Sequence, residues 1–101
     1  MTILNTTFIV ADHLMEQFLA WARQAYMPAL RDAGIFNAPT MAKVLAKVEP
    51  GATSIAIQAR CHALEEATRW HDETAALLKD DLTARFGQQV LFFTTYMEVL
   101  E

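Results

Sequence analysis

The side chains able to do acid–base or ligand chemistry are few and dispersed. His13, His62 and His71 are the only imidazoles, and no two stand three or four residues apart, the spacing that would put both on one helical face. No cysteine or carboxylate cluster completes a ligand set around any of them, so no metal is expected. Cys61 is the only thiol and falls where a strand pattern calls for a small apolar side chain, which reads as a buried, inert group. There is no Gly-rich phosphate loop, no G-x-S-x-G elbow and no Cys-x-x-Cys pair, so neither nucleotide hydrolysis, serine hydrolysis nor thioredoxin-like redox is supported, and no cofactor is expected. Trp21, Tyr26 and Trp70 recur at helical spacing and read as core rather than as a cofactor box. The remaining polar groups of interest, Asn5, Thr7, Gln58, Arg60, Tyr96 and Glu98, gain meaning only from the strands that carry them.

Those strands are legible from alternation. Ile3 to Val10 is rich in Ile, Thr, Phe and Val with two unequal faces, and Met41 to Val48 sets Lys43, Leu45 and Lys47 against Ala42, Val44, Ala46 and Val48. Thr53 to Cys61 puts Ile55, Ile57, Ala59 and Cys61 on one face and Ser54, Ala56, Gln58 and Arg60 on the other. Val90 to Val99 reads as a long last strand. Asn37-Ala38-Pro39 marks a turn, and Glu49-Pro50-Gly51 a tight one that closes a hairpin between the second and third strands.

Two helices separate these runs. Asp12 is placed to N-cap the first, whose buried stripe is Leu14, Phe18, Trp21, Ala22, Ala25 and Ala29, ending before Gly34. Pro28 inside this pattern predicts a kink or local break near Ala25 to Met27. The second helix carries Leu64, Ala67, His71, Ala75, Leu78 and Leu82 inward and ends at Phe86, with Gly87 as its C-terminal cap. His71 on that stripe reads as a hydrogen-bonded core or boundary histidine rather than a general base. On the outer face Glu65 with Arg69, Arg69 with Glu73, and Asp81 with Arg85 stand four apart and account for most of the helix charge.

The order strand, helix, strand, strand, helix, strand is the ferredoxin-like βαββαβ arrangement of the α+β class, spanning residues 1–101 as one domain. Right-handed crossovers put both helices on one face of a four-stranded antiparallel sheet, with the first and third strands central. The uncovered face is expected to hold Ile3, Asn5, Thr7 and Ile9, Lys43, Leu45 and Lys47, Ala56, Gln58 and Arg60, and Phe92, Thr94, Tyr96 and Glu98. A patch with that much apolar surface calls for a cover, and a twofold-related copy is the economical one, giving a dimeric α/β barrel. Within that cover Asn5, Thr7, Gln58, Arg60, Tyr96 and Glu98 form either a polar network that sets dimer register or a seat for a small polar or anionic ligand, with Glu98 as the carboxylate nearest Arg60.

The run Asn5-Thr6-Thr7-Phe8, the stretch Trp21 through Tyr26 with Pro28, Gly34 and Phe36, the pair Gln58 and Arg60, and the ending Arg85-Phe86-Gly87, Val90-Leu91-Phe92-Phe93 and Met97-Glu98 resemble a bacterial family of about this length, a domain of unknown function common in Bacteroidetes-type bacteria. The resemblance spans essentially the whole chain. It implies a ferredoxin-like fold of dimeric α/β-barrel type and supplies no catalytic residues. Family members often have a Ser before the second helix where this chain has His62-Ala63, so that helix is expected to be less well capped here.

Size and charge narrow the rest. The chain has 101 residues, 53% of them apolar, and eight basic against twelve acidic side chains leave a net charge of −4. That balance disfavours a nucleic-acid surface, and the third strand presents Ala56, Gln58 and Arg60 where RNA recognition by this fold needs aromatic rings. No membrane span or secretory leader is recognised, and a cytoplasmic setting is expected. The functional expectation is a small homodimeric ligand-binding or interaction protein. The alternative, by fold analogy, is a cofactor-independent monooxygenase or isomerase acting on a small aromatic or carboxylate compound.

Overall fold

A computed structural model of the chain describes residues 1–47 and 49–101. Alternating burial builds four strands: β1 (Thr2–Ala11), β2 (Asn37–Lys43), β3 (Ala52–Cys61) and β4 (Val90–Glu98). They form one antiparallel sheet in the order β2-β3-β1-β4, so β1 and β3 are central, as the crossover rule requires. The architecture is ferredoxin-like, with both helical arms on one face. Leu4, Thr6, Phe8 and Val10 of β1 and Ile55, Ile57, Ala59 and Cys61 of β3 point into the layer beneath the helices.

The arms contain segments that the apolar spacing does not announce. The first runs through a 3-10 turn (Asp12–Leu14), α1 (Met15–Trp21), a π-helical turn (Ala22–Tyr26) and α2 (Met27–Asp32). The π turn falls just ahead of Pro28, which has no N–H to give the preceding turn, and corresponds to the expected break. A π turn inserts one residue into the helical register. The buried series therefore passes from Phe18, Trp21 and Ala22 to Tyr26, Met27 and Leu30, leaving Ala25 and Ala29 only half-buried. The second arm repeats the device without a proline: α3 (Leu64–Trp70), a π turn (His71–Ala75) and α4 (Ala76–Phe86).

Phe8 is the centre of the core. Its ring is fully buried and lies 5.1 Å from Phe18, 5.4 Å from Tyr26, 6.1 Å from Phe92 and 6.3 Å from Trp21. Trp21 also ties the two arms together, its Nε1–H donating to Asp81 Oδ2 at 2.9 Å. Asp81 accepts from Arg85 as well, and these two bonds, the Trp21 one first, hold its carboxyl below the usual range. Of the three outer ion pairs expected on the second arm, Asp81–Arg85 is the one closed among the described residues.

Several local expectations are corrected. Asp12 does not cap the first helix. Its Oδ1 accepts from Thr53 Oγ1 at 2.7 Å and its Oδ2 from Lys47 at 3.3 Å, which pins the hairpin to the end of β1 and lowers its own pKa, the Thr53 bond contributing most. Asn37-Ala38-Pro39 is not a turn but a bulge within β2, where Ala38 adopts φ +51° and the pairing with β3 slips between Asn37 and Thr40. β2 ends at Lys43, so Leu45 and Lys47 lie beyond it, and Val48 lies outside the described residues. Before α3, Ala63 has no side-chain acceptor. Only the reciprocal half of a capping box forms, with Ala63 N–H donating to Glu66 Oε1 at 3.3 Å.

Candidate functional site

Register decides which polar side chains meet. On the uncovered face β1 contributes Ile3, Asn5, Thr7 and Ile9, and these pair across to Arg60, Gln58, Ala56 and Ser54 of β3. On the other side the same four pair with Met97, Thr95, Phe93 and Leu91 of β4. Asn5, Thr7, Gln58 and Arg60 therefore do share a face, and Asn5 Nδ2 donates to Thr7 Oγ1 at 3.1 Å.

Tyr96 and Glu98 are corrected. They pair with Leu4 and Thr2, which places them, with Phe92 and Thr94, on the helix side of β4. Both phases of the β4 sequence carry large apolar groups, so alternation alone leaves its facing undecided. The buried Val90 directly after the Gly87–Gln89 turn sets it. Lys43 is corrected for a related reason: the Ala38 bulge turns it to the Ile55 side, and Thr40 and Ala42 take the open face instead. Glu98 is thus no partner for Arg60, and no carboxylate among the described residues pairs with Arg60.

Tyr96 and Glu98 instead line a cleft of about 330 Å³ with Thr2, Leu64 and Met97, where the start of the second arm stands over β4. Next to it is a polar centre that sequence reasoning missed. Lys79, 7% exposed, places Nζ 2.8 Å from His71 Nε2 and 2.9 Å from Thr94 Oγ1, and 5.0 Å from the centroid of the Phe92 ring. Thr94 Oγ1 lies 3.1 Å from Thr6 Oγ1, which accepts from Tyr26 Oη at 3.3 Å. His71 Nδ1 is 3.4 Å from Asp72 Oδ1, and the His71 ring meets Tyr96 edge-on at 6.0 Å, so Tyr96 belongs both to the cleft and to the wall of the centre. An ammonium only donates, which makes His71 Nε2 the acceptor and leaves its proton on Nδ1, facing Asp72.

No carboxylate among the described residues pairs with Lys79. Burial without a counter-charge lowers its pKa to about 8, and burial pushes Tyr26 up to about 12. Tyr96 is raised too, by burial first and by Asp72 second. Cys61 is fully buried, its Sγ 3.4 Å from Ala63 O, and burial raises its pKa, as suits an inert thiol. His13 and His62 are exposed and join no such network among the described residues.

The apolar spacing explains why Lys79 was missed. An unbroken α-helix from Leu64 turns Leu78 inward and leaves Lys79 at the margin. The π turn at His71–Ala75 advances the stripe by one position, so Lys79 becomes buried while Leu78 is only half-buried. A lysine four residues after Ala75 and three before Leu82 was the available signal, since both neighbours are core positions.

Among solved structures, the fold is shared with a candidate antibiotic biosynthesis monooxygenase from Deinococcus radiodurans (TM-score 0.74, 15% identity, covering 100% of this chain and 94% of that one). It is shared with a dimeric ferredoxin-like protein from an uncultured marine organism (TM-score 0.65, 11% identity, covering 99% and 96%). A candidate antibiotic biosynthesis monooxygenase from Bacillus cereus is also similar (TM-score 0.56, 16% identity, covering 99% and 95%). Comparison with curated proteins finds no match. Among the described residues no helix is long and apolar enough to cross a membrane. The sequence profile of the domain of unknown function DUF4286 matches residues 1–100, and the chain belongs to that family.

Proposed function

We propose that the chain works as a homodimeric binding protein whose two copies meet through the uncovered sheet face. The observation that carries this reading is the apolar content of that face. Leu91 is 52% exposed, Phe93 53% and Met97 39%, beside half-buried Ile3 and Ile9 on the neighbouring strand. Strands about 4.8 Å apart and about 30 Å long present roughly 600 Å² per copy. Two copies together would remove about 1,200 Å², the lower end of stable specific interfaces.

Charge selects the arrangement. Arg60 lies at one end of the face, opposite Ile3, and Glu49 lies at the other, where with Thr7, Ile9, Ala52, Ser54 and Phe93 it borders an apolar dent of about 260 Å³. A twofold axis parallel to the strands would set Arg60 against Arg60. An axis across the strands sets each Arg60 near Glu49 of the second copy, and brings Ile3 and Met97 of that copy over the dent. Polar Gln58, Asn5 and Thr95 then lie in the middle of the interface, where a one-row slip would leave them unpaired, so they fix register. The oxygenase names carried by two of the similar structures belong to those proteins. The fold they share with this chain carries no reaction with it.

Sedimentation equilibrium at micromolar concentration is expected to return twice the chain mass. Arg60→Glu and Glu49→Arg should each weaken the dimer about tenfold, and the double charge reversal should restore most of the loss. A single-chain mass would overturn the dimer, and single variants that are not rescued by their combination would overturn its orientation.

A further inference from the structure

We propose that Lys79 is the nucleophile of a site for a small, neutral, apolar aldehyde or ketone, which enters through the cleft beside Tyr96 and is held as an imine. Three observations carry this. The Lys79 amine is buried between the second arm and β4 with His71, a group able to move its protons, 2.8 Å away. No carboxylate among the described residues pairs with it, so no ion pair ties up its lone pair. A cleft of about 330 Å³ shares its Tyr96 wall with the centre, and Leu64 and Met97 give it apolar surface beside Thr2 and Glu98.

The same surroundings select the ligand. Glu98 lines the cleft and repels carboxylates, and the hydrogen-bond partners of the amine among the described residues, His71 and Thr94, include no Lys or Arg to hold an acid. Phe92 and Tyr96 flank Thr94 on the same face of β4, the Phe92 ring centroid 5.0 Å from the amine and the Tyr96 ring edge-on to His71. An uncharged carbonyl compound of benzene-ring size or smaller matches this lining.

The step balances without any oxidant or reductant. Nζ attacks the carbonyl carbon, forming the C–N bond while the C=O π pair moves to oxygen. His71 Nε2 carries the two amine protons in turn to that oxygen, which departs as water as the nitrogen lone pair closes the C=N bond. The titratable groups facing the amine are His71, with Asp72 behind it, from its own arm, Tyr96 from β4, and Tyr26 through Thr6 and Thr94.

The test uses the unmodified protein at pH 7.5 with benzaldehyde and cyanoborohydride, which reduces each imine to a stable benzylamine that peptide mass mapping locates. The chain has three lysines, so Lys43 and Lys47 serve as internal references. With its pKa lowered to about 8, a substantial fraction of the Lys79 amine is unprotonated at pH 7.5, and Lys79 is expected to be labelled at least about tenfold faster than either. His71→Gln should slow Lys79 labelling several-fold and leave Lys43 and Lys47 unchanged. 4-Carboxybenzaldehyde should label Lys79 more slowly than benzaldehyde, and Glu98→Gln should remove that difference. Labelling of Lys79 no faster than that of Lys43 and Lys47 would overturn the proposal. Indifference to both the carboxylate and Glu98→Gln would overturn the route through the cleft. Neither result depends on whether the chain pairs with a second copy.

Discussion

Phe8→Ala should cost about 3–5 kcal/mol of folding stability, the range for truncating a fully buried aromatic side chain. Four rings, from the first arm and from β4, have their centroids within 6.3 Å of Phe8, and each belongs to a different stretch of backbone or a rigid helical turn. Such a wall closes poorly around a void, so the loss includes the cavity as well as the transfer of the ring. Small domains have only about 5–15 kcal/mol in total, and the variant should unfold at markedly lower urea. Leu77→Ala, at a position 71% exposed, should move the midpoint little, by about 0.5 kcal/mol at most. Equal midpoints for Phe8→Ala and the parent protein would mean that the ring cluster does not hold the sheet to the arms.

Lys79→Met should act in the opposite direction and make the protein more stable. The folded state holds the Lys79 pKa near 8 against an ordinary value of 10.5. Between those values the unfolded chain binds more protons than the folded one, so the stability of the parent rises with pH through this window. Below about pH 8 both states are charged and the full burial penalty is present. Replacing the amine by a methionine of similar length removes that penalty. At pH 7 a gain of about 2 kcal/mol is expected once partial solvent access at half-buried His71 and Tyr96 is allowed for. For a chain of this size that is roughly 8–16 °C in Tm. The advantage should shrink to near zero by about pH 10.5, and thermal melts of both proteins from pH 7 to 10.5 provide the check. A gain that does not change with pH would show that methionine packs better, with no charge penalty involved. A lysine whose burial lowers stability is the pattern expected where stability is traded for chemistry.

How much of this could be read from the residues depends on what sets each feature. Strand identity, sheet order and the central place of β1 and β3 follow from apolar alternation and from crossover handedness, and both were legible. The facing of β4 was not, because Leu91, Phe93 and Met97 compete with Phe92, Thr94 and Tyr96 for the same inward role, and a three-residue turn decides between them. A bulge at a non-glycine residue with positive φ turned β2 over in the same way. Pro28 betrayed the first π turn. His71–Ala75 holds neither proline nor glycine, so the second left no local mark. Of the polar set placed on the open face, Asn5, Thr7, Gln58 and Arg60 lie together, while Tyr96 and Glu98 stand across the sheet, Tyr96 against the His71 ring that contacts a lysine which simple periodicity puts at the margin.

The π turn at His71–Ala75 also makes the chemistry of this chain hostage to its reading frame of packing rather than to any one side chain. Loss of a single codon between His71 and Ala75 would remove the inserted residue and return the arm to ordinary helical winding with the amine still inward, whereas straightening the arm at unchanged length would carry Leu78 inward and put the amine into water, with every strand intact. A substitution that straightens the arm without shortening the chain, rather than a deletion at this point, is therefore the genetic change through which such a lineage would lose a buried amine.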